Sequence, residues 1–198
     1  MTFAKLRLKL SRVLMLIVFL VLCFSQNHQT ESLKTTLLFF SGIILVGLGV
    51  LGRVWCSLYI SGYKNDKLVT QGPYSLCRNP LYFFSFIGVI GVGMTTETYT
   101  LPVLILVLFS VYYPFVIKSE QNFLLGIYKD EYLEYMKNVP CFFPSFSKFK
   151  EPEEYTVKPK RFRNFLTEVI WFFWLVGIIE LIEHLKQLGY LPIYFHII

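Results

Sequence analysis

The chain has 198 residues, 55% of them hydrophobic and only 16% charged, with a mean hydropathy of +0.53. A soluble domain of this length would carry roughly 25% charged residues, so the apolar excess implies a bilayer rather than one large aqueous core. The net charge of +6 is not gathered into a basic patch apart from the apolar segments, which argues against nucleic acid as a partner.

Lys5, Arg7, Lys9 and Arg12 precede an unbroken apolar run over residues 13–24. This looks like the charged and apolar regions of a signal peptide. The following Ser25-Gln26-Asn27-His28 offers no small-residue cleavage site, so a retained first membrane helix over about residues 8–24 is expected, with Lys9 and Arg12 snorkelling to the interface. Further uncharged stretches cover residues 35–52, 79–96 and 98–117. Only Glu97 separates the last two, which predicts a tight helical hairpin. Gly88, Gly91 and Gly93 in its first arm allow a neighbouring helix to approach closely. The polar residues 118–135 continue the fourth helix beyond the membrane, with Phe123, Leu124, Ile127 and Tyr128 as an apolar stripe. Pro140, Pro144, Pro152 and Pro159 then punctuate an irregular stretch.

A fifth segment, residues 165–181, has a short uncharged part (169–179). It is expected to cross with Glu168 and Glu180 facing protein; lying at the interface is the alternative. The expected architecture is an all-α polytopic bundle of about five spans with a cytoplasmic catalytic subregion. It is read as one membrane domain: N-terminal spans over 1–58, a core over 70–145 and a C-terminal helix over 160–198. With the N-terminus cytoplasmic and five crossings, 17 of the 19 Lys and Arg residues lie inside and only Lys34 and Lys186 outside. The regions of Arg78 and Glu120 then share the cytoplasmic face. The expected location is a bacterial inner membrane.

Phosphate-binding glycine loops, a G-x-S-x-G elbow, H-E-x-x-H and C-x-x-C are all missing. His28, His184 and His196 fall away from the cytoplasmic face, and Cys23, Cys56, Cys77 and Cys141 follow no metal or disulfide spacing, so free thiols and no metal site are expected. Glu180, Glu183, His184 and Gln187 share one side of a helix and read as its wetted face where it leaves the membrane.

Two polar clusters remain. The first is Gly72-Pro73-Tyr74-Ser75-Leu76-Cys77-Arg78-Asn79-Pro80-Leu81-Tyr82. A guanidinium at a helix entrance facing the membrane is costly, Pro80 suits a first helical turn, and Asn79 is a good N-cap. The second runs from Glu120 and Gln121 through Tyr128, Tyr132 and Tyr135 to Val139, Pro140 and Pro144. Taken singly, the first is a capped helix start and the second a helix-end carboxylate with packing tyrosines.

In this order and on one face, the clusters resemble the signature of the isoprenylcysteine carboxyl methyltransferase family, related to the phospholipid N-methyltransferases. Its G-P-Y-x-x-x-R-H/N-P-x-Y pattern is matched by Gly72, Pro73, Tyr74, Arg78, Asn79, Pro80 and Tyr82. Its later pattern is matched by Glu120, Tyr132, Tyr135, Val139, Pro140 and Pro144. The resemblance implies S-adenosylmethionine as cofactor and a lateral opening for a lipid-like or prenylated acceptor. It implies Arg78 and Glu120 as catalytic residues, and Gly72, Tyr74, Arg78, Asn79, Pro80, Tyr82 and Glu120 around the cofactor. Arg53 and Trp55, in a further family-like element, stand on the acceptor side or anchor a helix. The chain departs from the family in Asn79 for a frequent His, in Gln121 for a second Glu, and in Tyr128-Lys129 for Phe-Gly.

The chemistry accords with this. Methyl transfer is an in-line displacement on a sulfonium, for which a protein aligns reactants and excludes water. Carboxylate and aromatic faces attract the sulfonium, and Arg78 can fork onto a carboxylate. An amine acceptor needs a base, and with Asn79 in place of His only Glu120 or a Tyr offers one. This mildly favours an acceptor that is already nucleophilic. One rival is an NADPH-dependent membrane reductase, which calls for Gly-Glu after Tyr82 where Phe83-Phe84 stands. The other is a non-catalytic scaffold or transporter, for which Gln121 and Lys129 speak.

Overall fold

Small residues determine how the first two long helices meet. Helix α1 (Leu33–Ile60) runs antiparallel to α3 (Pro80–Met94). A Cβ built on Gly49 would stand 2.5 Å from the Cα of Gly88, so the two backbones touch. Lipid supplies no hydrophobic drive between helices, and close backbone approach is what remains to hold them. Val46 and Val50 extend this seam to Val169 and Val176. The computed structural model describes residues 25–27, 33–63, 66–192 and 195–197. The predicted first span, with Lys5, Arg7, Lys9 and Arg12, lies outside the described residues, as do Cys23, His28 and Lys64.

A single short turn of helix, α2 (Pro73–Leu76), precedes α3. The expected hairpin follows: α3 ends at Met94, Glu97 takes φ 58° in the turn, and α4 covers Thr100–Asn138. Phe86 packs on Phe109 at 4.4 Å between ring centres, and Tyr82 on Tyr113 at 5.4 Å. Helix α4 continues past the apolar stretch as expected, but it is broken at Lys129 (φ 43°, ψ −115°). Helices α5 (Pro159–Val169) and α6 (Trp171–Gln187) adjoin at Ile170. Ser25–Asn27 (β1) pairs in parallel with Phe195–Ile197 (β2), a minimal addition to an all-α bundle.

The protein is an integral membrane protein. Among the described residues, three helical segments are long and apolar enough to cross a bilayer: Leu33–Ile60, Thr100–Asn138 and the 29 residues Pro159–Gln187. The last exceeds the short uncharged part read from the sequence. Helix α3 has 15 residues, about 22 Å of rise against a hydrocarbon core of about 30 Å. It is shorter than the predicted third span because Thr95 and Thr96 already belong to the turn.

The proline-punctuated stretch 139–158 is a strap across the 59–79 region. Lys150 O accepts from Gly72 N–H at 2.7 Å, Tyr59 Oη donates to Glu151 Oε1 at 3.2 Å, and Tyr155 Oη donates to Tyr59 O at 2.7 Å.

Candidate functional site

The Gly72–Tyr82 segment owes its path to one backbone conformation and to the strap. Gly72 has φ 59° and ψ −132°, a region costly for any residue with a Cβ. A Cβ there would also stand 2.3 Å from Cζ of Tyr59. Ser75 Oγ donates to Gly72 O at 2.7 Å, Ser145 N–H donates to Leu76 O at 2.9 Å, and Arg78 N–H donates to Pro140 O at 2.9 Å. Gly72 thus shapes the turn against Tyr59. Pro80 occupies the first turn of α3 as expected. Asn79 does not act as a side-chain cap. Its carbonyl accepts the N–H groups of Tyr82 and Phe83, both at 3.1 Å, while its Nδ2 donates to Cys141 O at 2.8 Å. The strap's half-buried carbonyl needs a donor, and Asn79 supplies it.

The break at Lys129 carries the second cluster back to the first. In a straight helix Glu120 and Tyr135 would be about 22 Å apart. Yet Tyr82 Oη donates to Glu120 Oε2 at 2.6 Å, Tyr135 Oη donates to Tyr74 O at 2.6 Å, and Tyr74 lies within electrostatic reach of Glu120. Tyr132, fully buried, borders Arg78 and also feels Cys141 and Glu120. Gln121 Nε2 donates to Cys141 Sγ at 3.2 Å. Burial pushes the hydroxyls of Tyr74, Tyr132 and Tyr135 above the ordinary tyrosine value; at Tyr132 the Arg78 guanidinium opposes that rise.

Donors here are left over. Arg78 Nε and Nη1 and the Tyr74 hydroxyl are buried without a hydrogen-bond partner. No ion pair joins Arg78 to Glu120 among the described residues. A guanidinium with free donors takes an anionic oxygen, and a carboxylate flanked by tyrosine rings takes a cation. The set fits a small zwitterion carrying a carboxylate and a sulfonium, which is the amino-acid end of S-adenosylmethionine.

Arg53 and Trp55 do not converge. Arg53 Nη1 donates to Ser85 Oγ, and its guanidinium lies over the rings of Phe165 and Phe172 at 5.3 and 5.7 Å, with Nε buried and unpartnered. Trp55 packs on Phe84 and Phe149 at 6.4 and 6.0 Å. Residues two apart on a helix point in different directions. Ser85 and Tyr113 carry no sequence signal of their own beyond Ser85 standing one turn after Tyr82, and Cys141, read from the sequence only as a free thiol, directly follows Pro140. At the far end of α6, Lys186 is buried and donates to Glu183 Oε1 at 2.8 Å, so the side read as wetted is partly closed. Among the described residues no group of three His, Cys, Asp or Glu side chains could hold a metal ion.

The sequence pattern of a family described as phospholipid methyltransferase matches residues 32–131, which takes in Arg53, the Gly72–Tyr82 segment and Glu120. The chain is 34% identical over 186 residues to the nickel-cobalt-cadmium resistance protein NccN of Alcaligenes xylosoxydans xylosoxydans, covering 94% of this chain and 87% of that one. It is 35% identical over 185 residues to the cobalt-zinc-cadmium resistance protein CzcN of Cupriavidus metallidurans, covering 93% and 85%. No solved structure matches it.

Proposed function

This chain belongs to the phospholipid methyltransferase family, and from that premise we propose that it methylates a lipid-like or prenylated acceptor at the cytoplasmic membrane face, with S-adenosylmethionine as methyl donor. The observation that carries the proposal is the pair of unmatched, buried Arg78 donors close to the Tyr82–Glu120 bond. In this reading Arg78 grips the cofactor carboxylate. Glu120, oriented by Tyr82, faces the positive end with the ring of Tyr74. Gly72, Asn79 and Pro80 hold the turn that presents Arg78. The bound cofactor supplies an electrophilic methyl group. The protein's share is to align it with the acceptor and keep water out.

The acceptor we favour is one whose nucleophile is already free. Tyr74, Tyr132 and Tyr135 hold their protons more tightly than an exposed tyrosine, and Glu120 already accepts from Tyr82. The tyrosines are therefore not ready bases, which leaves only Oε1 of Glu120 for that role. A carboxylate therefore suits the site better than a protonated amine. The relatives' names speak of resistance to nickel, cobalt, zinc and cadmium. Esterifying a membrane carboxylate would remove an anionic oxygen ligand of the kind that binds divalent cations.

The test is a titration of S-adenosylmethionine into detergent-purified protein, followed by incubation of labelled donor with a lipid extract and identification of the labelled species. Arg78→Ala and Glu120→Ala are each expected to weaken binding tenfold or more while the protein remains folded. Unchanged affinity in both variants overturns the assignment.

A further inference from the structure

The strap carries phenylalanines where a cytosolic loop would carry polar residues, and the depth of its first ring shows why. Phe142 packs on Phe83, Phe86 and Phe109 at 5.7, 6.3 and 5.8 Å between ring centres. Phe109 lies eight residues before Ile117, where the uncharged stretch of α4 ends, which is about 12 Å along the axis. The strap therefore dips to hydrocarbon depth at Phe142. At its other end Phe149 reaches Trp55 of α1. Between these two points Phe143 and Phe146 are 74% and 75% exposed.

The backbone that presents these rings is tied down on both sides. Pro140 O accepts from Arg78 N–H, Cys141 O accepts from Asn79 Nδ2, Ser145 N–H donates to Leu76 O, and Lys150 O accepts from Gly72 N–H. Beyond the aromatic residues stand the exposed cations Lys150, Lys158, Lys160, Arg161 and Arg163, with the exposed acids Glu151, Glu153 and Glu154 between the first two. Aromatic side chains at hydrocarbon depth, followed by Lys and Arg reaching outward, are the signature of an element lying in a membrane interface.

We propose that residues 141–149 form an interfacial membrane element, with Phe143 and Phe146 embedded among the acyl chains of the leaflet that borders Arg78 and Glu120. The strap then floors the candidate site with lipid on one side and ties the Gly72–Asn79 turn to the bilayer surface. An acceptor arriving within that leaflet meets the site without leaving the membrane. The assignment rests on the spans and the ring contacts and does not depend on methyl transfer.

The test uses the full chain in nanodiscs of zwitterionic and anionic phospholipid, with Phe143→Trp and Phe146→Trp made separately. Each emission is read as the difference from the parent protein, which already contains three tryptophans. The expected result is strong quenching by lipids brominated on the acyl chain, at one or both positions, with little effect of aqueous iodide. Iodide quenching without lipid quenching at both positions would place the strap in water and overturn the proposal. Shielding from both quenchers in discs that hold two copies of the chain would assign this face to a second copy, and would overturn it equally.

Discussion

Tyr135 shows how single buried groups set the pH response. Its hydroxyl donates to Tyr74 O at 2.6 Å, and burial raises its pKa, as it does for Tyr74 and Tyr132. In the unfolded chain these groups ionise near the ordinary tyrosine value of 10.0. The folded protein holds its protons to higher pH, so above that point it binds more protons than the unfolded chain, and stability falls as pH rises. Stability from these three groups should be level from neutral pH up to about 9 and decline beyond about 10. Tyr135→Phe should cost roughly 1 kcal/mol at pH 7 for the lost bond. It should also make the alkaline decline shallower by up to about 1.4 kcal/mol per pH unit. Thermal unfolding in detergent at a series of pH values reads both effects, and an unchanged alkaline slope would contradict the account. Arg78 is the complementary case. Leaving two donors of a charged group unused in a buried setting is costly, and a residue selected only for stability would not be expected to keep that cost.

At the scale of elements, Lys129 does what a family glycine would do more cheaply. It holds φ 43° and ψ −115° at the break in α4, a conformation that costs a side-chain-bearing residue about 1–3 kcal/mol. Without the break Tyr132 and Tyr135 could not reach Arg78 and Tyr74. Lys129→Gly should therefore stabilise the protein by about 1 kcal/mol and leave cofactor binding intact. Lys129→Val should destabilise it by more than that and weaken binding with it. Melting temperatures and a binding titration on both variants check the pair; a stabilising Val substitution would mean that the break is not strained. The departure from Phe-Gly, which spoke for a non-catalytic scaffold, leaves the geometry of the break in place.

For the whole molecule, orientation is the testable consequence of charge. Lys34 and Lys186 stand at the end of the bundle opposite Arg78, and the other described Lys and Arg residues fall at or beyond the cytoplasmic ends under the five-span reading. Single cysteines placed at Asn122 and Asn164 should be modified by a membrane-impermeant reagent only from the cytoplasmic side. One placed at Gln187 should react only from the other side. Labelling of Asn122 from outside would invert the topology and remove the cytoplasmic site.

The bundle, the hairpin at Glu97 and the close approach along Gly88 were legible in the amino-acid order, because apolar run length, charge placement and small-residue spacing act locally and nearly additively. The same holds for the expectation that Arg78 and Glu120 belong to one neighbourhood, since each ends or begins an apolar run on the same side. Tertiary structure alone decided that Asn79 turns from its helix to Cys141, that Arg53 and Trp55 part company, and that the proline-rich stretch folds over the turn with its phenylalanines outward. The first and last of these hang on hydrogen bonds between residues some sixty or more positions apart, and the second on which side chains of other helices arrive on each side of α1. No local pattern encodes such contacts, because each partner is satisfied only once the other has arrived.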